Sequence, residues 1–295
     1  MLSEFLDTSD AWITSRTGIA TRHVLSDESL TDIGAAACRA AVEASGLSVK
    51  DMDMLICATV QGDTITPALA CTIQGAIGAS CPSLDINAAC SGFIFALDMA
   101  DAYIAAGKAR HILVVAAEAT THLPDWRDRS TCVLFGDGAG AAVVGAGDGV
   151  LAQRLTTEYS DVLYAPAHPG NSPYHKAEPY SGMRMAGQDV YKFAVSHSIS
   201  DIYAVTEAAG MTPDGIDHYF IHQANRRIIE AVRQRLNQPE AKFHSCIERT
   251  GNFSSATIPY MLDEAVRAGR VLPGETILFS AFGAGLTTGA MIIRW

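Results

Sequence analysis

Residues 135–144, FGDGAGAAVV, and residues 282–293, FGAGLTTGAMII, both open on Phe-Gly and close on an apolar run. They belong to a series of matched pairs. Gly46-Leu47 is followed by Asp53 and Gly210-Met211 by Asp217, seven residues after the Gly each time (53 − 46, 217 − 210). Cys90 precedes a helical stretch that closes at Gly107-Lys108, and Asn252 precedes one that closes at Gly269-Arg270, again at one spacing (107 − 90 and 269 − 252 are both 17). Gly is the commonest residue after a helix, so one match carries no weight. Three in the same chain order indicate a duplicated half. The chain therefore reads as two α/β halves, residues 1–152 and 153–295, packed as one body.

The remaining pattern agrees with a layered α/β architecture. Residues 54–60, 111–117, 139–144 and 276–281 read as buried strands. Residues 31–45, 92–106, 195–209, 226–236 and 259–268 read as helices. Such alternation gives a mixed or parallel sheet with helices on its faces. Residues 156–189, rich in Tyr, Pro, His and Gly, read as irregular loops beside a site entrance. Of 295 residues, 48% are hydrophobic and 18% charged, which suits a large core and excludes global disorder. With 32 acidic and 21 basic residues the net charge is -11, which argues against nucleic acid or an anionic membrane as main partner. No apolar run approaches the roughly 20 residues that cross a bilayer. Glu4, Asp7 and Asp10 precede the first basic residue, Arg16, so the N-terminus does not read as a signal peptide. Seven cysteines without a CxxC pair read as reduced thiols of a cytoplasmic protein, with no structural zinc site.

Three residues carry candidate chemistry. Cys90 lies in LDINAACSGFIFALDMA (84–100), where a strand-like run ends in a small-residue turn and an apolar helix follows. A thiol there feels the positive end of the helix dipole, which favours the nucleophilic thiolate. The other cysteines fit the commoner role of small buried hydrophobes. His222 ends an apolar run in YFIHQANRRII, at a point where a side chain enters a cleft as readily as a core. Asn252 lies in RTGNFSSATIP, at a turn before a helix, where a capping role is commoner. Its place in the repeat opposite Cys90 would bring both helix starts to one cleft. His168, His175, His197 and His244 follow no metal-ligand spacing. The Gly-rich stretches fit neither GxGxxG nor GxxxxGK[ST], so they read as backbone turns near a substrate.

The motifs DTSDAWITSRTGI, NAACSGF, DRSTCVLFGDGAGAAV, MAGQDVYKFAV, IHQANRRI, GNFSSATIP and AFGAGLTTGA run in order over nearly the whole chain. Together they resemble the β-ketoacyl-acyl-carrier-protein synthase III family of the thiolase superfamily. The resemblance implies a thiolase-like five-layered αβαβα fold of two duplicated halves, a homodimer, and a Cys90-His222-Asn252 triad. It implies a two-step reaction in which Cys90 takes an acyl group from acyl-CoA and malonyl-acyl carrier protein (malonyl-ACP) then condenses with loss of CO₂. By the same resemblance, the backbone N–H groups of Cys90 and Ala284 form an oxyanion hole, and Phe282 crowds the malonyl carboxylate. Trp12, Arg16, Thr17, Arg129, Gly187, Tyr191 and Asn225 would hold the CoA and pantetheine. Arg226, Arg227, Arg233, Arg235 and Lys192 would dock the acidic carrier protein. No metal or organic prosthetic group is implied.

The chain departs from the family at several points. Ala284 stands where Gly is common, Tyr191 where Phe is commoner, and Thr66 where short-chain enzymes carry a bulky aromatic. Thr66 therefore suggests an acyl pocket open to medium or long chains. The family's first strand lies in about twenty residues that precede the point where this chain begins. Two other functions fit the same pattern: a relative in secondary metabolism that makes an ester, an amide or another ketide from the acyl-Cys, and a non-catalytic scaffold. The complete triad favours the decarboxylating condensation.

Overall fold

The computed structural model describes residues 2–167, 173, 174, 176 and 179–295; His168 and His175 lie outside them. The first half contains α1 (Asp10–Thr17), α2 (Leu30–Ser45), β1 (Met54–Ala58), α3 (Leu69–Ile77), β2 (Ser83–Ile86), α4 (Gly92–Ala105), β3 (His111–Ala119) and β4 (Asp137–Gly145). There follow β5 (Val150–Ser160), β6 (Leu163–Tyr164), β7 (Arg184–Met185), α5 (Gly187–Ala208), β8 (His218–Ile221), α6 (Arg226–Arg235), α7 (Ile247–Thr250), α8 (Thr257–Arg267), β9 (Thr276–Gly283) and β10 (Gly285–Arg294). Two four-stranded sheets, β2-β1-β3-β4 and β5-β10-β9-β8, carry the fold, and β6 and β7 form a small separate ribbon. The junction at 152/153 falls inside β5, which pairs along its length with β10.

Five layers result. Helices α2 and α3 cover the outer face of the first sheet; α4 and α8 fill the space between the sheets; α5, backed by α6, covers the outer face of the second. Each interface buries its own apolar cluster. Cys38, Leu69 and Val115 lie under α2 and α3, Ile94, Phe220 and Met261 between the sheets, and Ile202, Leu278 and Ile292 under α5. Fully buried central strands explain why β3 and β9 read as continuous apolar runs.

The duplication is real, but its register differs from two of the three sequence matches. Asp53 accepts from the Arg110 and His111 N–H groups, and Asp217 accepts from Thr276 N–H, so β1 corresponds to β8 and β3 to β9. Asn87 Oδ1 accepts from Ala89 N–H at 3.0 Å, and Asn252 Oδ1 accepts from Ser254 N–H at 2.9 Å. Ala89 and Ser254 both hold left-handed backbone, φ 48° and 51°. The counterpart of Asn252 is thus Asn87, and that of Cys90 is Ser255 (252 − 87 and 255 − 90 are both 165). The equal spacing of 17 arose because α4, with 14 residues, is longer than α8, with 11. The Phe-Gly match is displaced as well: Phe282 lies within β9, whereas Phe135 precedes β4.

On the edge away from β9, β10 is covered by β5, whereas the matching edge of its counterpart β4 has no neighbouring strand among the described residues. Only Asp137 N–H, at the start of β4, finds a backbone partner there, His23 C=O at 2.8 Å.

Gly140 of β4 lies against the first turn of α8, where a Cβ would come 2.6 Å from Tyr260 N and 2.9 Å from Pro259 C. Backbone cannot yield as a side-chain tip does. Gly140→Ala is expected to destabilise the protein by about 1–3 kcal/mol. Gly145→Ala, whose Cβ would sit 3.6 Å from His111 Cδ2, should cost less than about 1 kcal/mol. Urea unfolding midpoints check the pair.

Candidate active site

The two helix-starting turns, 89–91 before α4 and 254–256 before α8, meet between the sheets and open onto a cavity of about 760 Å³. Cys90, His222, Asn252, Phe282 and Ala284 all line it. So do Trp12, Arg16, Thr17, Arg129, Gly187, Tyr191 and Asn225. Leu123, Leu163, Met183, Val190 and Leu286 give it an apolar wall.

His222 follows β8 and is buried. Its Nδ1 lies 2.9 Å from Thr257 Oγ1, whose hydroxyl donates to Ser254 C=O at 3.0 Å, and its Nε2 has no protein partner. A hydroxyl has one proton and gives it by rotation to one acceptor at a time. Turned from Ser254 to Nδ1, the Thr257 hydroxyl leaves Nε2 as the nitrogen that carries the imidazole proton toward the cavity. Burial holds the imidazole neutral, its pKa lowered to about 3. Phe282 packs edge-on to the ring, centroids 5.4 Å apart. Asn252 is fixed through its own backbone: its C=O accepts from Gly136 N–H at 3.0 Å and from Thr120 Oγ1 at 2.9 Å. With Oδ1 taken by Ser254, the amide NH₂ is the end left to face the cavity.

Cys90 stands in the turn before α4, as the helix-start reading expects, but its thiol is not lowered. Burial pushes it up to about 12, more than the Ser254 hydroxyl beside it lowers it. Gly283 is needed beside it, since a Cβ there would lie 2.6 Å from Cys90 N. Gly283, Thr257 and Ser254 escaped the sequence reading: a glycine inside a strand and two helix-start hydroxyls carry no signal until the fold places them.

At the mouth, Arg16 and Arg129 both lie over the Trp12 ring, 5.1 and 5.3 Å from its centroid. Arg129 is also paired to Asp7 at 3.0 Å. A flat ring entering between Trp12 and either guanidinium must displace that guanidinium. Thr17 faces the cavity but donates its hydroxyl to Ile13 C=O at 2.7 Å. Asn225 caps α6 by accepting from Arg227 N–H at 2.9 Å and reaches Arg16 C=O through Nδ2 at 3.3 Å. On α6, Arg226 is paired with Glu248 and Arg233 with Glu230. Arg227 donates to Ser15 C=O at 3.1 Å, and Arg235 and Lys192 are exposed. Thr66 lies on an exposed loop outside this chain's cavity. Among the described residues there is no cluster of three or more His, Cys, Asp or Glu side chains placed to hold a metal, and no helix long and apolar enough to cross a membrane.

The chain as a whole is similar to one family of known proteins. Residues 84–160 fit the family model described as 3-oxoacyl-[acyl-carrier-protein (ACP)] synthase III, and residues 206–295 fit that of its C-terminal part. The β-ketoacyl-[acyl-carrier-protein] synthase III of Xanthomonas campestris pv. campestris is 41% identical over 300 residues, covering 100% of this chain and 92% of that protein. The Clostridium acetobutylicum enzyme is 40% identical over 301 residues, covering 100% and 93%. The crystal structure of 3-oxoacyl-[acyl-carrier-protein] synthase III from Aquifex aeolicus VF5 superposes with a TM-score of 0.93 at 40% identity, covering 100% of this chain and 94% of that one. The chain belongs to the 3-oxoacyl-[acyl-carrier-protein] synthase III family of condensing acyltransferases, with a thiolase-type fold.

Proposed function

We propose that Cys90 is the nucleophile in a decarboxylating condensation that joins an acyl-CoA to malonyl-ACP and initiates or feeds fatty-acid synthesis. The meeting of a thiol, an unpartnered imidazole nitrogen and an amide donor in one largely apolar cavity carries the reading. In the first half-reaction the Cys90 sulfur attacks the thioester carbonyl and CoA leaves. The developing oxyanion lies at the backbone N–H groups of Cys90 and Ala284. In the second, malonyl-ACP loses CO₂ beside Phe282, and the enolate attacks the acyl-Cys90 carbonyl. His222 Nε2–H and the Asn252 amide hold the enolate oxygen. Fixed donors in a dry site act strongly on charge that appears only in the transition state.

Under this reading the Trp12-Arg16-Arg129 stack opens to admit the CoA adenine. The pantetheine arm then passes Thr17, Gly187, Tyr191 and Asn225. Arg227, Arg235 and Lys192 offer the carrier protein positive charge on a chain of net charge -11, while Arg226 and Arg233 are already engaged by Glu248 and Glu230. The enzyme acts as a homodimer whose exposed loop, with Ile65 and Thr66, lies at a partner's acyl pocket.

Four outcomes test the assignment. Incubation with acyl-CoA should add one acyl mass to the peptide bearing Cys90 and none to Cys90→Ala, read by mass spectrometry. His222→Ala and Asn252→Ala should each slow condensation on the order of a hundredfold or more while leaving acylation much less affected. Thr257→Val should share that asymmetry, because it removes the group that sets the His222 tautomer. Arg227→Glu should weaken the use of malonyl-ACP, most at low salt, and spare acyl-CoA priming; rates at two ionic strengths decide this.

A further inference from the structure

The condensation just described leaves unused a buried acid beside the two helix-starting turns. Glu118, near the end of β3, is 1% exposed. Its Oε1 accepts from Ser255 Oγ at 2.6 Å and from Ser255 N–H at 3.3 Å, and its Oε2 accepts from Val60 N–H at 2.9 Å. Ser255 is the counterpart of Cys90, and Ser254 precedes it. The Ser254 hydroxyl is buried, lines the cavity, and lies beside both the Cys90 thiol and the Glu118 carboxyl. It completes a well-formed hydrogen bond to neither. A hydroxyl between two acids, committed to neither, has the geometry of a proton relay.

We propose that Glu118 is the proton acceptor for Cys90 during acylation and works through the Ser254 hydroxyl. This rests on Cys90 being the nucleophile. As the Cys90 sulfur bonds to the thioester carbonyl carbon, the thiol proton passes to Ser254 Oγ and the Ser254 proton passes to Glu118. The carbon–sulfur bond to CoA then breaks, and the departing CoA thiolate takes a proton from solvent. Glu118 keeps its proton through the acyl-enzyme stage. When condensation expels the Cys90 thiolate, the proton returns along the same path. One solvent proton is thus consumed for each CO₂ released from the malonyl carboxylate, and the enzyme ends as it began.

Electrostatics agree with the geometry. Burial lifts the Glu118 carboxyl to about 7, so it is a fitting acceptor near neutral pH, whereas His222, lowered to about 3, is a poor one. The titratable groups facing Glu118 are Cys90, in the turn before α4, and Cys57, on β1; burial raises both thiols, so both are neutral. Transfer from a thiol raised to about 12 is uphill until sulfur–carbon bonding proceeds, which ties proton loss to attack. The free enzyme thereby keeps its nucleophile protonated.

Single-turnover acylation of Cys90, followed by rapid-quench mass spectrometry between pH 5.5 and 9 with acetyl-CoA and octanoyl-CoA, tests the proposal. The wild-type rate should rise with pH through an inflection near 7, where Glu118 becomes the carboxylate. Glu118→Gln should lose the inflection and slow acylation by about a hundredfold or more. Glu118→Asp should keep the inflection and recover part of the rate. Ser254→Gly, which removes the hydroxyl and accepts the left-handed backbone, should slow acylation at least tenfold. In each variant, condensation from preformed acyl-enzyme should change much less. If Glu118→Gln fails to fold, Glu118→Asp and Ser254→Gly carry the test. Acylation within threefold of wild type and with an unchanged pH profile, in Glu118→Gln or in Ser254→Gly, overturns the relay. Absence of acyl-Cys90 in the wild type instead refutes the nucleophile assignment.

Discussion

The centre of this molecule depends on backbone approaches too close to admit a side chain. A Cβ on Gly283 would fall 2.6 Å from Cys90 N, one on Gly138 2.7 Å from the Phe253 ring, and one on Gly92 3.0 Å from Ala58 Cβ. These contacts let the turn before α4 and the turn before α8 meet between the two sheets. One element of each half therefore reaches the same cavity wall, and Cys90 of the first half shares the cavity with His222 and Asn252 of the second. Interiors packed at crystalline density transmit such constraints, because nothing nearby is free to give.

The same closeness governs charge. With water excluded, the thiol of Cys90 and the carboxyl of Glu118 are both pushed toward their protonated forms and the imidazole of His222 toward its neutral one. Burial disfavours whichever form is charged. At rest the thiol and the imidazole are therefore neutral, and Glu118 alone stands between its two forms near neutral pH. Charge enters with the substrate and meets dipoles already oriented by the fold, among them the Asn252 amide fixed through Gly136, Thr120 and Ser254.

Much of this was legible in the chain. The strands and the long central helix announce themselves through apolar runs of different period, and Asp53 and Asp217 mark the duplication because each accepts from backbone N–H at the start of the strand paired with its own, β3 and β9. Cys90, His222 and Asn252 were reachable because each stands at a turn that a helix follows. The true register of the repeat was not. It rests on the Asn87 and Asn252 turns, whose shared signature is a left-handed residue two positions on, and conformation of that kind is not written in residue type when the residues are Ala89 and Ser254. Glu118 escaped for another reason. In VVAAEAT it reads as the polar end of a strand, and only the approach of Ser255 from the other half makes it a buried acid. The thiolate expected from the helix start is opposed by burial, which raises the Cys90 thiol and which a dipole argument does not weigh.

Asn252 belongs to the second half by chain order, yet the first half holds it. Its N–H donates to Leu134 C=O, and its C=O accepts from Gly136 N–H and Thr120 Oγ1. A shift of one half against the other must break these three bonds before the Asn252 amide can part from the turn that carries Cys90. The seam between the halves is therefore pinned at the cavity itself.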